Sequence, residues 1–236
     1  MVRLGNIRFS IIIPTLNESE TLPQTLGCLF PLPDGGCTEV IISDGGSEDS
    51  TLSIASEFPC HVVCGAAGRA LQMNRGSRVA RGRWLLFLHA DSRLPVDWRK
   101  QVENTQSWGF FPLRLSGGQR AFRVIEKAIN LRSKLTRVAT GDQGLFFTRS
   151  FFDRLGGFPD IPLMEDIAIS KNARVLADPT ISRSTMGTSS RRWEKNGITR
   201  TLLLMWCLRL VYWLGIDPAR LHRLYYPGIA DHRKCR

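Results

Sequence analysis

Acidic residues that follow or flank apolar runs are the side chains in this chain best placed to do chemistry. Asp44 and Asp91 each come at the end of an apolar run, and Glu165 and Asp166 stand side by side before another. A buried strand that ends in a carboxylate delivers an oxygen ligand to the sheet edge where α/β folds bind their substrates. We therefore expect Asp91 to hold a divalent metal on a phosphorylated substrate.

Composition and charge limit the classes of protein. The 236 residues are 43% hydrophobic, and 32 lysines and arginines against 21 acidic residues give a formal net charge of +11. This is enough chain for one large α/β domain with a real core, and its basic surface favours an anionic partner: nucleic acid, a phosphorylated substrate or an anionic membrane. With no break in composition, we expect one catalytic domain (1–195) and a C-terminal helical extension (196–236), packed on the domain or on a membrane surface.

The cysteines and the N-terminus bear on the compartment. The six cysteines form no Cys-x-x-Cys pair and have no histidine cluster nearby, which favours free or buried thiols in a reducing compartment. Residues 1–9 lack the apolar core of a signal peptide. We expect a cytoplasmic protein, with the inner face of the cell membrane as the more specific alternative.

The first 90 residues alternate between strand-like and helix-like segments. We predict strands at 9–14, 38–43, 61–64 and 85–88, and helices at 22–29, 50–58 and 69–80. This order predicts an α/β fold with a mostly parallel central sheet and helices on both faces. The loops after the first, second and fourth strands then meet at one edge of the sheet.

Several classes that use such a sheet can be weighed from the first loop. No Gly-x-Gly-x-x-Gly follows the first strand, where a dinucleotide-binding enzyme needs it, and Pro14 to Glu18 stands there instead. A nucleotidyltransferase, the main alternative to a transferase with a nucleotide-activated donor, would usually carry a glycine-rich, arginine-containing loop at the same place, and Pro14 to Glu18 lacks it. A basic nucleic-acid-binding protein is a further alternative that no recognisable motif supports.

Four motifs in order resemble family 2 glycosyltransferases of the GT-A fold. They are Ser10–Glu18, Asp44–Thr51, the strand ending in Asp91, and Gly156–Phe158 together with Met164–Asp166. Three further segments are similar to a bacterial subgroup, the radical-SAM/selenodomain-associated or arsenosugar-biosynthesis glycosyltransferases: Gly68–Gly76, Thr140–Gln143 and Ser189–Lys195.

The resemblance implies a GT-A nucleotide-binding sandwich and a hexosyltransferase-like reaction. A nucleotide-sugar, with UDP as the expected nucleotide, would give its sugar to an acceptor hydroxyl with inversion at the anomeric carbon. Mn²⁺ or Mg²⁺ would neutralise the leaving diphosphate, and a general base would deprotonate the acceptor. The acceptor is not disclosed, and a lipid-linked acceptor is among the candidates.

The resemblance also assigns the catalytic and metal residues. Asp166 would be the general base, while Glu165 would orient the acceptor or hold the loop; the alternative is a simple acidic helix start. Asp91 matches the acid that binds the metal, or else it caps a turn. His89 stands where the family usually has a second carboxylate, so it is either a neutral ligand or a pocket wall.

The nucleotide would lie along the first two loops. Asp44 would accept a hydrogen bond from the uracil N3–H, and Gly45 would let the backbone pass close to the ligand. Pro14, Leu16 and Glu18 would line the base and the ribose. An Asp-Gly-Gly turn would explain Asp44 equally well without a ligand, and the two interpretations are compatible.

Five further residues are assigned to the donor site. Arg69 would approach the base or the diphosphate, with Asn74 supporting its loop, and Asp142 would face the acceptor or the donor sugar. Arg192 and Trp193 resemble the Arg-Trp pair near the diphosphate of processive relatives, but a serine replaces the glutamine expected three residues before Arg192. That departure argues against a processive polymer synthase. Core packing explains Trp193 equally well, and a tight turn explains Asp142 equally well. The alternative explanation for Arg69 is a solvated surface charge.

Two helical segments carry surfaces of their own. Residues 119–134 have apolar residues at helical spacing and a basic face that is either solvated or near an anionic acceptor or lipid headgroup. Residues 201–214 are apolar nearly all round, but about 20 residues are needed to span a bilayer. The second segment predicts a docked helix, an oligomer contact or an interfacial membrane helix.

Overall fold

A computed structural model describes residues 7–32, 36–218 and 220–221 of the chain. Its strands are β1 (Phe9–Thr15), β2 (Thr38–Asp44), β3 (His61–Cys64), β4 (Trp84–Phe87), β5 (Ser92–Arg93), β6 (Trp108–Phe110), β7 (Leu113–Leu115), β8 (Phe146–Thr148), β9 (Thr180–Ile181) and β10 (Met186–Thr188). Its helices are α1 (Leu22–Leu29), α2 (Thr51–Ser56), α3 (Arg69–Val79), α4 (Trp98–Glu103), α5 (Arg120–Thr136), α6 (Arg149–Leu155), α7 (Glu165–Leu176), α8 (Arg191–Asn196) and α9 (Ile198–Trp213).

The main sheet brings the predicted loops to one edge. Within the described residues its strand order is β3-β2-β1-β4-β8-β6-β9, and β3, β2, β1 and β4 are mutually parallel. Thr15 pairs with Asp44, so β1 and β2 end at the same level. Because β8 is antiparallel to β4, the chain that enters β8 lies beside the chain that leaves β4. The 3₁₀ turn Gly141–Gln143 therefore reaches the carboxyl edge.

Strand β1 shows why the sheet is covered on both faces. Its residues Phe9, Ile11 and Ile13 are buried in a core with α1, α2 and α4, whereas Ile12 belongs to a second core with α3, α6 and α7. Alternate side chains of a strand point to opposite faces, so a run without polar interruptions needs helices on both sides. The predicted α/β fold is confirmed.

The predicted elements of the first 90 residues all occur within two residues of their expected ends, and α2 differs most, being one residue shorter at its start and two at its end. The region 92–115 was not predicted. It forms β5, α4, β6 and β7, and β5 and β7 join β10 in a separate three-stranded sheet. These strands have only two or three residues each, too few to show a periodic pattern.

The last described helix, α9, packs against the rest of the chain along one side. Ile198, Leu202 and Met205 lie on a cluster built by α5, β7 and Trp193. No helix in the described part of the chain is long and apolar enough to cross a bilayer. The division at residue 195 stays a prediction, and so does the predicted extension beyond 221, which lies outside the described residues.

Candidate active site

The start of α7 holds the predicted base. Met164 precedes the helix in a left-handed conformation (φ 70°), and Asp166 is the second residue of the helix. The Gly141 amide donates to Asp166 Oδ2 and the Ile167 amide donates to Oδ1, each at 2.7 Å. The helix N-terminus also favours negative charge. Asp166 therefore lies half-buried, as an oriented carboxylate, beside the 3₁₀ turn.

Glu165, its neighbour, is buried and poorly satisfied. Its side chain is 2% exposed, and its Oε1 lies 3.5 Å from Arg69 Nη1 at the start of α3 but accepts no hydrogen bond. Burial raises the pKa of Glu165, the nearby charge of Asp166 adds to this, and Arg69 opposes it. This position fits the predicted role of holding the loop.

His89, directly beyond β4, connects two of these segments. Its Nδ1 lies 3.4 Å from Asp142 Oδ1, and its Nε2 is buried without a partner. Burial works most strongly against the charged ring, but the hydrogen bond to Asp142 and the charges of Asp142 and Asp91 outweigh it and raise the pKa of His89. A Cβ on Gly141 would lie 2.5 Å from Nε2, so only glycine lets the 3₁₀ turn approach the imidazole.

A small cavity lies between these groups. Its volume is ≈ 10 Å³, close to the roughly 10–15 Å³ that holds one water. Two of the buried atoms without a partner, His89 Nε2 and Glu165 Oε1, belong to residues that line it. Its wall consists of Arg69, Met73, Phe87, His89, Gly141, Leu145, Phe158, Glu165 and Asp166.

Arg132 of α5 is a residue of this site that the sequence did not single out. Its Nη2 donates to Ser133, and its Nε is buried without a partner. Burial lowers the pKa of Arg132, whereas the charges of Asp166 and Asp142 act in the opposite direction. In the sequence Arg132 is one of several basic residues on the polar face of a helix. Only the fold shows that the charges of Asp166 and Asp142 act on it.

On the opposite side of the edge, Asp44 is fully engaged within the protein. Its Oδ1 accepts from the amides of Gly46 and Ser47, each at 2.8 Å. Its Oδ2 accepts from the hydroxyls of Ser47 (2.6 Å) and Thr15 (2.9 Å). A uracil N3–H would have to compete with these four donors, so the contact between Asp44 and the base stays a prediction. The Asp-Gly-Gly turn, the other interpretation of Asp44, is present in the structure.

Gln72 of α3, which the sequence did not single out, ties the two loops together. Its Nε2 donates to the carbonyls of Thr15 (2.6 Å) and Ser43 (2.9 Å). A Cβ on Gly45 would lie 3.1 Å from this side chain, so Gly45 is needed for close packing of the protein on itself. Pro14 is half-buried beside these groups.

The loop after β1 is also fixed from β2. Asn17 accepts from the Glu48 amide and its own amide donates to Ser47, while the Glu18 amide donates to Thr51. Leu16 remains exposed above this bonded pair of loops. An exposed apolar side chain over a rigid backbone is compatible with the predicted contact to a base.

Three predicted donor-site residues have other surroundings. Asn74 donates to the carbonyl of Phe158 and accepts from its amide, so it holds the loop after α6, and its predicted support of the Arg69 loop stays a prediction. Trp193 is buried against α5 and β7, and core packing accounts for it; a contact with the donor finds no support in this position. Arg192 lies on α8, and its side chain is outside the described residues.

A divalent metal can be tested against the donor atoms present. The described residues contain no group of three or more potential metal ligands. Mg²⁺ is usually held by one or two carboxylates together with substrate phosphates and waters, so a single carboxylate suffices for a metal that binds with a diphosphate. Asp91, half-buried between β4 and β5, is suited to this, whereas His89 is already engaged with Asp142.

The fold is that of GT-A glycosyltransferases. TarS residues 1–349 of S. aureus, in complex with UDP-GlcNAc, match with a TM-score of 0.62 and 18% identity over 77% of this chain and 58% of that one. The mannosyltransferase PcManGT of Pyrobaculum calidifontis, in complex with GDP-Man and Mn²⁺, matches with a TM-score of 0.59 and 23% identity over 77% and 56%. Likeness at this level of identity shows the fold alone.

The sequence comparisons each cover less than half of the chain. Residues 10–107 match the model of Glycosyl transferase family 2. The "PGL/p-HBAD biosynthesis glycosyltransferase" of Mycobacterium tuberculosis is 41% identical over 93 residues, which is 36% of each chain, and an "Uncharacterized glycosyltransferase" of Haemophilus influenzae is 31% identical over 84 residues, 35% of this chain and 29% of the relative. The matched segment thus spans about a third of these relatives. These findings support the predicted resemblance to family 2 glycosyltransferases.

Proposed function

We propose that this protein is a glycosyltransferase that moves a sugar from a nucleotide-sugar to an acceptor hydroxyl. The observation that carries the proposal is the meeting of Asp166, Asp91 and the β1 and β2 loops at one edge of a GT-A sheet. The family 2 match covers both loops and Asp91, and α7 adds an oriented carboxylate to them. UDP is the proposed nucleotide, in line with the UDP and UDP-GlcNAc complexes of TarS.

Asp166 is proposed as the general base. A carboxylate accepts the acceptor's proton while the hydroxyl oxygen attacks the anomeric carbon, and the bond to the diphosphate breaks on the opposite face of the sugar. The Gly141 amide, hydrogen-bonded to Oδ2, fixes the direction of the carboxylate. Glu165 and Arg69 hold the start of α7 against α3, so that the base and the donor keep one relative position.

Asp91 is proposed to hold Mg²⁺ or Mn²⁺ together with the diphosphate. When bound, the metal would neutralise the charge that develops on the leaving group. Arg69, which lines the cavity and is partly exposed, would add positive charge on the same side. The similarity of Gly68–Gly76 and Thr140–Gln143 to arsenosugar-biosynthesis glycosyltransferases supports that subgroup as the finer proposal, and a cytoplasmic location is proposed with it.

Two measurements test this function. Calorimetry with UDP, GDP and dTDP in the presence of Mn²⁺ should detect binding of one nucleotide, with UDP favoured; no binding of any of them would overturn the proposal. A nucleotidyltransferase, the alternative class, would instead form a nucleotide-sugar from a sugar phosphate and release pyrophosphate, which a coupled assay detects.

The base assignment has its own variant. Asp166→Asn should lower the turnover of the nucleotide-sugar by about 10²–10⁴-fold, because general-base catalysis contributes about that much, and should leave nucleotide affinity within twofold. Asp178→Asn, which removes an exposed carboxylate just beyond the other end of α7, is the matched control. Unchanged turnover in Asp166→Asn would move the base role to another residue.

A further inference from the structure

The outer side of α9 is an exposed apolar surface. Leu203, Trp206, Leu210 and Trp213 follow one another at helical spacing, and the two indoles are 67% and 73% exposed. Monomeric soluble proteins rarely leave neighbouring large apolar side chains in water, and such a patch marks a contact with a partner or a membrane.

Helix α5, which packs beside α9, carries a second row of this kind. Val124, Leu131 and Leu135 are exposed at spacings that place them on one face of the helix. Ile129 of α5 and Leu202 of α9 pack against the same buried cluster. Adjoining helices therefore each present apolar side chains to solvent.

Basic side chains border both rows. Lys127 and Lys134 are exposed on α5, and Arg200 is exposed on α9 with Arg209 half-buried one row away. Tryptophan and arginine or lysine around an apolar stripe are the composition of helices that lie in the interface of an anionic bilayer. The formal net charge of +11 favours the same partner over a long range.

We infer that the α5–α9 surface, defined by these two rows and their basic borders, docks on an anionic phospholipid bilayer. A second copy of the chain fits less well, because a two-fold contact sets a surface against itself and would bring these cations close to their equivalents. A bilayer with anionic headgroups offers both an apolar layer and the opposite charge.

The inner side of α9 leads to the candidate base. Leu208 packs on Leu163, Tyr212 packs with Met164, and Lys171 of α7 lies 4.8 Å from the Tyr212 ring centre. The same helix thus faces the docking surface on one side and the loop before Asp166 on the other. Given the proposed function, docking places the base near the headgroup layer, which indicates an amphiphilic acceptor with a hydroxyl at the membrane surface.

Co-sedimentation with vesicles tests the docking without any need for activity. The full chain should bind vesicles that contain phosphatidylglycerol, bind phosphatidylcholine vesicles at least tenfold more weakly, and dissociate as salt is raised. Trp206→Glu combined with Trp213→Glu should lower the partition into anionic vesicles at least tenfold. Val96→Glu and Val175→Glu, at positions that are 100% and 81% exposed elsewhere on the surface, are matched controls that should bind normally.

Several outcomes would overturn the inference. One is no binding of the full chain to anionic vesicles. Another is equal loss in the control variants, and a third is a concentration-dependent dimer that the tryptophan changes abolish in sedimentation velocity. Nucleotide binding by the variant with both tryptophan changes separates membrane docking from the proposed glycosyltransferase function. The variant should still bind the nucleotide even if it no longer binds vesicles.

Discussion

The two acidic loops at the carboxyl edge of the main sheet differ in how many hydrogen bonds their buried polar groups make. On the β2 side, Asp44 accepts four hydrogen bonds from its own loop and from Thr15. On the α7 side, Glu165 Oε1 and His89 Nε2 are buried and accept or donate none. In the sequence, both sides look like acids that would bind a ligand.

The difference indicates which side is complete without substrate. A buried carboxylate with all of its lone pairs occupied stabilises the loop that surrounds it, whereas an unsatisfied buried group costs free energy unless something binds to it. The β2 side is therefore preformed, and under the proposed function it would form the floor of the nucleotide site. The α7 side has polar atoms left over around a cavity of about one water, so its groups are those that a ligand or a water would complete.

Removal of the Asp44 carboxylate should give the largest loss of stability. Asp44→Ala leaves two amides and two hydroxyls without their acceptor and should lower the free energy of unfolding by about 2–3 kcal/mol. Asp44→Asn should cost less, because its amide group can face the two hydroxyls, which rotate. Urea unfolding at pH 7 measures both, with Asp178→Ala, an exposed ion pair, as the control near zero.

The pH dependence of Asp44 sharpens this test. Burial opposes ionisation, but the hydrogen bonds from Ser47, Thr15 and Gly46 outweigh it and lower the pKa of Asp44 below its usual 3.8. A carboxylate with a lowered pKa stabilises the fold above its unfolded pKa, and this contribution is lost as pH falls through the folded pKa. The wild type should therefore lose part of its advantage over Asp44→Ala below about pH 3.8; a constant difference would mean that the carboxylate charge is not what stabilises the loop.

A change at Gly141 tests the unsatisfied side. In Gly141→Ala the new Cβ would lie 2.5 Å from His89 Nε2 and 2.7 Å from Cε1, so the ring must move away from Asp142. Overpacking of this kind costs about 1–3 kcal/mol, and we expect kcat/KM for the nucleotide-sugar to fall about tenfold to a hundredfold with nucleotide binding retained.

Another glycine provides the control for that variant. A methyl group added at Gly118 would meet no atom of the described residues within 4 Å beyond its chain neighbours, so Gly118→Ala should behave as wild type. If both alanine variants kept full activity, the close approach of the 3₁₀ turn to His89 would have no part in catalysis.

The sequence predicted the frame of the site well because the frame depends on local patterns. Apolar runs that end in a proline or in an acid indicated β1, β2 and β4 and the edge where they meet, and the acidic pair before Ile167 indicated the start of α7. Hydrophobic periodicity and turn residues are properties of neighbouring positions in the chain, so one sequence is enough to read them.

The sequence could not predict which polar groups are satisfied. Gln72 lies 57 residues from Thr15, whose carbonyl it binds, and the charge of Asp166 acts on Arg132 only because the fold brings α5 near the start of α7. Asp44 and Glu165 look alike in the sequence, and the number of donors around each depends on how distant loops pack. Trp193 shows the same limit, since a buried core position and a donor contact predict the same residue type.

Glu165→Gln should have the smallest effect, and with the opposite sign to Asp44→Ala. Burial raises the pKa of Glu165, so its ionised form is disfavoured in the folded protein and costs stability as pH rises above the ordinary value of 4.5. The neutral amide should raise the free energy of unfolding at pH 7 by on the order of 1 kcal/mol, because the ion pair that it removes involves Arg69, which is partly exposed.

The contrast between the two loops is tested by the pH dependence of the wild type's stability, measured relative to Glu165→Gln and relative to Asp44→Ala. Between pH 4 and pH 7 the stability of the wild type should fall relative to Glu165→Gln, whereas relative to Asp44→Ala it should stay constant over the same range. Turnover of Glu165→Gln should still decrease, since Arg69 is no longer held at α7. A variant that is less stable at every pH would mean that Glu165 is as well satisfied as Asp44, and that the α7 side is as complete without a ligand as the β2 side.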